Sequence, residues 1–89
     1  MRPNRELIVI RRLYLVRRQA ELGLTNFETA DLLEITPRYY AKILDGVRGK
    51  HMSAILMMKI CEVFGFSEKD LLRLESDFQK QLMNMKNTT

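Results

Sequence analysis

Throughout this chain the apolar residues recur at intervals of three and four, the period of amphipathic helices, and only two prolines and four glycines interrupt 89 residues. That pattern predicts an all-α fold. A chain of this length has room for one core, which excludes a multidomain enzyme. The single Cys61 cannot form an internal disulfide, and His51, the only histidine, leaves no Cys/His set at zinc spacing. Packing has to hold the domain, so no metal or cofactor is expected.

Start and stop signals divide the chain into five helices. The first is expected from about Asn4 to Leu22, with Ile10, Leu13, Val16 and Ala20 as its apolar stripe, and with Arg11, Arg12, Arg17 and Arg18 flanking it towards solvent or phosphate. Gly23 suits the left-handed residue past its end. Thr25-Asn26-Phe27-Glu28 has the form of a capping box, so a second helix starts there and runs to about Leu33. Thr36 as N-cap and Pro37 at the first helical position open a third, which ends before Gly46. Val47 to Met52 reads as a basic loop. Ser53 caps a fourth helix to about Phe64, with Leu56, Ile60, Val63 and Phe64 as core face and Gly65 closing it. The fifth spans about residues 68–86 and repeats Leu71, Leu74, Phe78, Leu82 and Met85, with Asn84 to Thr89 fraying into a polar tail. Two short helices joined by about three residues have the outline of a helix-turn-helix.

The formal net charge is +4. Residues 1–50 hold Arg2, Arg5, Arg11, Arg12, Arg17, Arg18, Arg38, Lys42, Arg48 and Lys50 against six acidic residues, whereas residues 51–89 balance five against five. An excess confined to one half points to a polyanionic partner, although basic solubilising faces are common too. The apolar run Leu7 to Ile10 is too short to span a membrane or to form a signal core, so no membrane association is expected and the cytoplasm is the expected compartment.

From Gly23 to Asp45 the string GLTNFETADLLEITPRYYAKILD resembles the helix-turn-helix of the lambda-repressor-like (XRE, Cro/CI-type) family, and the resemblance extends through Leu72. Gly23-Leu24-Thr25, Ala30, Ile35, Tyr40 with Ile43, and Gly46 match the motif; Leu56, Ile60, Phe64, Gly65, Ser67 and Leu71-Leu72 match the later rhythm. The resemblance implies a five-helix DNA-binding domain, with the motif at about residues 26–45 and an extended C-terminal helix. Ala30 is small where the motif helices cross, and Ile35, Tyr40 and Ile43 pin the second of them. Its other face then carries Thr36, Pro37, Arg38, Ala41, Lys42 and Asp45, with Tyr39 at the edge, and the family presents that face to the major groove. Arg38 can bond guanine O6 and N7 together, and Lys42 can reach a base or a phosphate, while Pro37 and Ala41 offer apolar contact to thymine methyls. Asn26 stands where the family has a phosphate-binding Gln, and Arg48, Lys50 and His51 would hold further phosphates. Two departures are Glu34, where a turn Gly is usual, and Tyr40, whose hydroxyl needs a partner.

Simpler readings accompany these. Tyr39 can pack against the adjoining loop, and the first-helix arginines read more readily as a solvated face than as a phosphate site. Cys61 reads as a small core residue, and Met57, Met58, Met83 and Met85 as fillers of core or interface gaps. The stripe of the fifth helix either covers its own domain or pairs two subunits through Leu74, Phe78, Leu82 and Met85. The function expected is that of a homodimeric transcription regulator of a bacterium, phage or mobile element, a repressor reading an inverted repeat in double-stranded DNA. The alternative is an antitoxin of the same fold, which would bind a toxin as well as DNA; an antirepressor is a further protein partner to consider. No paired carboxylates, nucleophile with a His partner or phosphate-binding glycine loop recommend an enzyme.

Overall fold

A computed structural model describes residues 11–46 and 52–87, with side chains as far as residue 84. Five helices make the domain all-α: α1 (Leu13–Glu21), α2 (Asn26–Leu33), α3 (Pro37–Leu44), α4 (Ala54–Phe64) and α5 (Glu68–Asn87). Among the described residues the one extended pairing is an isolated antiparallel bridge between Arg11 and Asp45.

That bridge corrects the first helix. The last carbonyls of α3 have no partner within their own helix, and the chain before α1 supplies donors. The Arg12 N–H reaches the Leu44 carbonyl at 3.0 Å, and Arg12 Nη1 reaches that of Ile43 at 2.6 Å. Arg12 is held at φ −76°, ψ 77°, outside the helical region, so α1 begins at Leu13, and the expected stretch from Asn4 to Ile10 lies outside the described residues. The expected stripe holds only in part: Val16 packs against the core and Ile10 lies outside the described residues, but Leu13 is 52% exposed and Ala20 is exposed, whereas Leu15 is fully buried. The inward face runs through Arg12, Leu15 and Gln19 at steps of three and four. Two of its three members are polar and satisfied inside, which conceals the face from a count of apolar residues.

The remaining starts follow local chemistry. Thr25 Oγ1 accepts the Glu28 N–H at 3.1 Å and Glu28 Oε1 accepts the Thr25 N–H at 2.9 Å, completing the capping box. Thr36, Ser53 and Ser67 accept the N–H three residues on, from Tyr39, Leu56 and Asp70. Gly65 ends α4 at φ +76°. The expected fraying from Asn84 does not occur as far as Asn87, where α5 is still helical; Thr88 and Thr89 lie outside the described residues.

Leu15, Ala30, Leu33, Tyr40, Ile43, Leu56, Ile60, Phe64 and Leu71 form one cluster drawn from all five helices, with Val63 and Cys61 only partly buried at its margin. Full burial of an aliphatic or Phe side chain contributes about 1.5–3 kcal/mol. A polar seam closes the other side. Arg12, 0% exposed, donates from Nε and Nη2 to the two Glu75 carboxylate oxygens at 2.9 and 2.7 Å. Its guanidinium lies 4.4 Å from the Phe78 ring centre. Tyr14 and Gln79 also donate to Glu75, at 2.5 and 2.9 Å. Burial raises the Glu75 pKa, but the hydrogen bonds from Arg12, Tyr14 and Gln79, with the Arg12 charge, outweigh it and hold the carboxyl below its ordinary value. Burial, and then the bond to Glu75, push the Tyr14 phenol well above its usual range.

Candidate nucleic-acid interface

The side of α3 that faces outward follows from which of its residues the core takes. Tyr40, Ile43 and Leu44 are buried, so helical geometry turns Thr36, Pro37, Arg38, Tyr39, Ala41 and Lys42 to solvent, and all six are exposed. Arg38, Ala41, Lys42 and the half-buried Asp45 line one shallow recess of about 370 Å³. The face thus carries two long cationic side chains at a spacing of four, one above the other. Tyr39 is 44% exposed, standing away from the core as an edge residue.

The turn before α3 and the contacts around Glu34 and Tyr40 set the attitude of this face. The turn from α2 to α3 passes through Glu34 at φ 61°, ψ 39°, the left-handed conformation for which glycine is better suited. Lys59 of α4 meets Glu34 Oε1 at 2.6 Å, and this hydrogen bond and the lysine charge lower the carboxyl pKa. Behind α3, Tyr40 Oη donates to Gln19 Oε1 at 2.6 Å, and burial pushes the phenol up to about 12. Gln19 Nε2 donates in turn to Asn26 Oδ1 at 2.8 Å and to the Leu24 carbonyl at 3.1 Å. Tyr40 thereby finds the partner its hydroxyl needs, and Asn26, exposed at the start of α2, is linked through Gln19 to the back of α3. Gln19, between Arg18 and Ala20, carries no signal in the sequence that singles it out.

The structure does not bring every expected residue to this surface. Arg48, Lys50 and His51 lie outside the described residues. Of the first-helix arginines, Arg12 is removed entirely, locked onto Glu75 and the end of α3, which corrects its expected solvated or phosphate-facing place. Arg18 is half-buried, donating from Nε to the Phe64 carbonyl at 2.7 Å and from Nη1 to Glu21 at 3.0 Å. Only Arg11 and Arg17 remain exposed. Both partners were hidden from the sequence because Glu75 is 63 residues from Arg12, and Phe64 is 46 from Arg18.

The proposed pairing stripe of α5 divides similarly. Phe78 is only 4% exposed under the Arg12 guanidinium, so it serves its own domain, a correction to its expected place in a subunit interface. Leu74 and Leu82 are half-buried, and the Met85 side chain lies outside those described. Exposed apolar side chains occur instead at Ile55, Met58, Leu72 and Met83. Cys61 is partly buried; burial, then the Glu68 and Glu62 carboxylates, push its thiol pKa up, which disfavours the reactive thiolate. Among the described residues no helix is long and apolar enough to cross a membrane. No protein-family model, curated protein or solved structure matches this chain.

Proposed function

We propose that this chain is a sequence-specific double-stranded DNA-binding transcription regulator of the lambda-repressor-like kind, acting as a homodimeric repressor. The observation that carries the reading is the outer face of α3: Arg38 and Lys42 project from a helix whose opposite face is anchored in the core, over a recess shared with Ala41 and Asp45. In the major groove Arg38 reads guanine through O6 and N7, Lys42 takes a base or a phosphate, and Pro37 and Ala41 meet thymine methyls. Asn26, together with Arg48, Lys50 and His51, holds the backbone. Two copies read half-sites about one turn, roughly 34 Å, apart, and an occupied operator blocks polymerase.

Selection of bound sequences from a random duplex pool tests this. The expected product is an inverted repeat at that spacing, and a pool that never enriches sinks the reading. On the selected site Arg38→Ala costs about 1–3 kcal/mol and relaxes one base position. Equal losses on selected and random duplexes would remove its role as a reader.

The antitoxin reading keeps the same motif and adds a protein partner. It is favoured by an apolar recess of about 270 Å³ between α4 and α5, lined by Met57, Met58, Cys61, Leu71 and Leu72 among others. Sedimentation separates the two: self-association abolished by Leu72→Asp supports the homodimer, and a monomeric wild type supports the partner protein.

A further inference from the structure

The four arginines of α1 and of the residues just before it are used differently, and one of them leads back to α3. Arg12 and Arg18 are engaged inside the fold. Arg17 is exposed within α1. Arg11 is exposed too, makes no side-chain hydrogen bond or ion pair among the described residues, and has its backbone bridged to Asp45.

Residues directly opposite in an antiparallel bridge send their side chains to the same side, with Cβ atoms about 4.5–5.5 Å apart. Asp45 is a wall of the recess that Arg38 and Lys42 share. The bridge therefore sets Arg11 at the C-terminal end of the outward face of α3, although 27 residues separate it from Arg38 in sequence. It also places a cation opposite Asp45, the one carboxylate among the described residues lining that recess. When the N-terminal half of a recognition helix lies against base edges, its other end rises towards the groove wall, where the strand presents phosphate. The arginine opposite Asp45 sets a positive charge at that end of the face.

Building on the DNA-binding reading above, we propose that Arg11 is a phosphate-binding residue of this surface, completing a row with Arg38 and Lys42 along α3. The contact is to the DNA backbone, so it adds affinity and register without base preference.

The test is the salt dependence of binding to a selected duplex and to a random one, followed by fluorescence anisotropy for wild type, Arg11→Ala, Arg11→Lys and Arg17→Ala. Because the bridge uses only backbone atoms, Arg11→Ala is expected to keep the wild-type melting curve. A homodimer loses one phosphate contact per subunit, which lowers the slope of log K against log salt by about 1.8, so the ratio of wild-type to variant affinity shrinks about twelvefold between roughly 50 and 200 mM salt. The loss is expected to be equal on both duplexes, to be restored by Arg11→Lys, and to be absent from Arg17→Ala, which removes the same unit of charge. A wild type that binds while Arg11→Ala leaves the slope unchanged overturns the proposal, as does an equal change in Arg17→Ala. A wild type that binds neither duplex is a different result, which removes the DNA-binding reading itself.

Discussion

Arg11 and Arg12 are neighbours in sequence and opposites in the fold. Arg12 enters the seam between α1 and α5, where Glu75, Phe78 and the end of α3 enclose it; Arg11 stays outside, beside the recess of α3. The two regions spend positive charge differently. On the outer face of α3 cations are surplus to folding and are available to a polyanion. In the seam the cation is part of the core, and its removal leaves a carboxylate in a poorly solvated place. Net charge therefore overstates what this domain can offer a ligand: of Arg11, Arg12, Arg17 and Arg18, two are structural.

The sharpest way to break that contrast is to exchange the readouts. Arg12→Ala strands Glu75 beneath the seam and leaves the Ile43 carbonyl without its donor, so a loss of about 3–5 kcal/mol is expected in urea unfolding. Arg38→Ala, in contrast, is expected to leave unfolding within about 0.5 kcal/mol of wild type, since its side chain is exposed on the face away from the core. If the two variants lose stability alike, the division between seam and surface fails.

A smaller effect comes from the α2 cap, which belongs to neither region and serves as the reference. Thr25→Ala removes the acceptor for the Glu28 N–H and is expected to cost about 0.5–2 kcal/mol, without altering the salt dependence of any DNA binding.

Acid tests the seam from another direction. The folded Glu75 carboxyl has a lowered pKa, so its contribution is fully present above the ordinary value of 4.5 and is lost as pH falls through the lower folded value. Thermal melts of wild type are expected to fall over that acid range, and Glu75→Gln, though less stable near neutrality, to fall less. Parallel declines would show that Glu75 does not gain its charge-dependent stability there.

The smallest change expected is at Glu34. Glu34→Gly relieves the left-handed backbone but gives up the Lys59 contact, which is solvent-exposed and screened. A modest rise in Tm is expected, and a fall would mean that the Lys59 tether, more than backbone strain, governs the turn.

Much of the site was legible locally. The capping box at Thr25, Thr36 with Pro37, and the buried positions Tyr40 and Ile43 suffice to define which side of α3 is turned outward. Asp45 and Lys42 follow from the same helical spacing. What sequence alone missed lies wherever a polar residue faces inward. Arg12 and Gln19 occupy the core-facing stripe of α1, and an apolar periodicity passes over both in favour of Leu13 and Ala20. Phe78 was placed on the right stripe of α5, but whether that stripe met its own domain or another subunit depended on Arg12.

The sequence by itself determined the five helices, most of their ends and the outward face of α3, because helix propensity, caps and spacing act over three or four residues. Tertiary structure alone decided where α1 begins, which arginines are exposed and what Phe78 covers. Those outcomes depend on groups brought together from distant parts of the chain, the open carbonyls at the end of α3 and the Glu75 carboxylate, and no local pattern encodes that meeting.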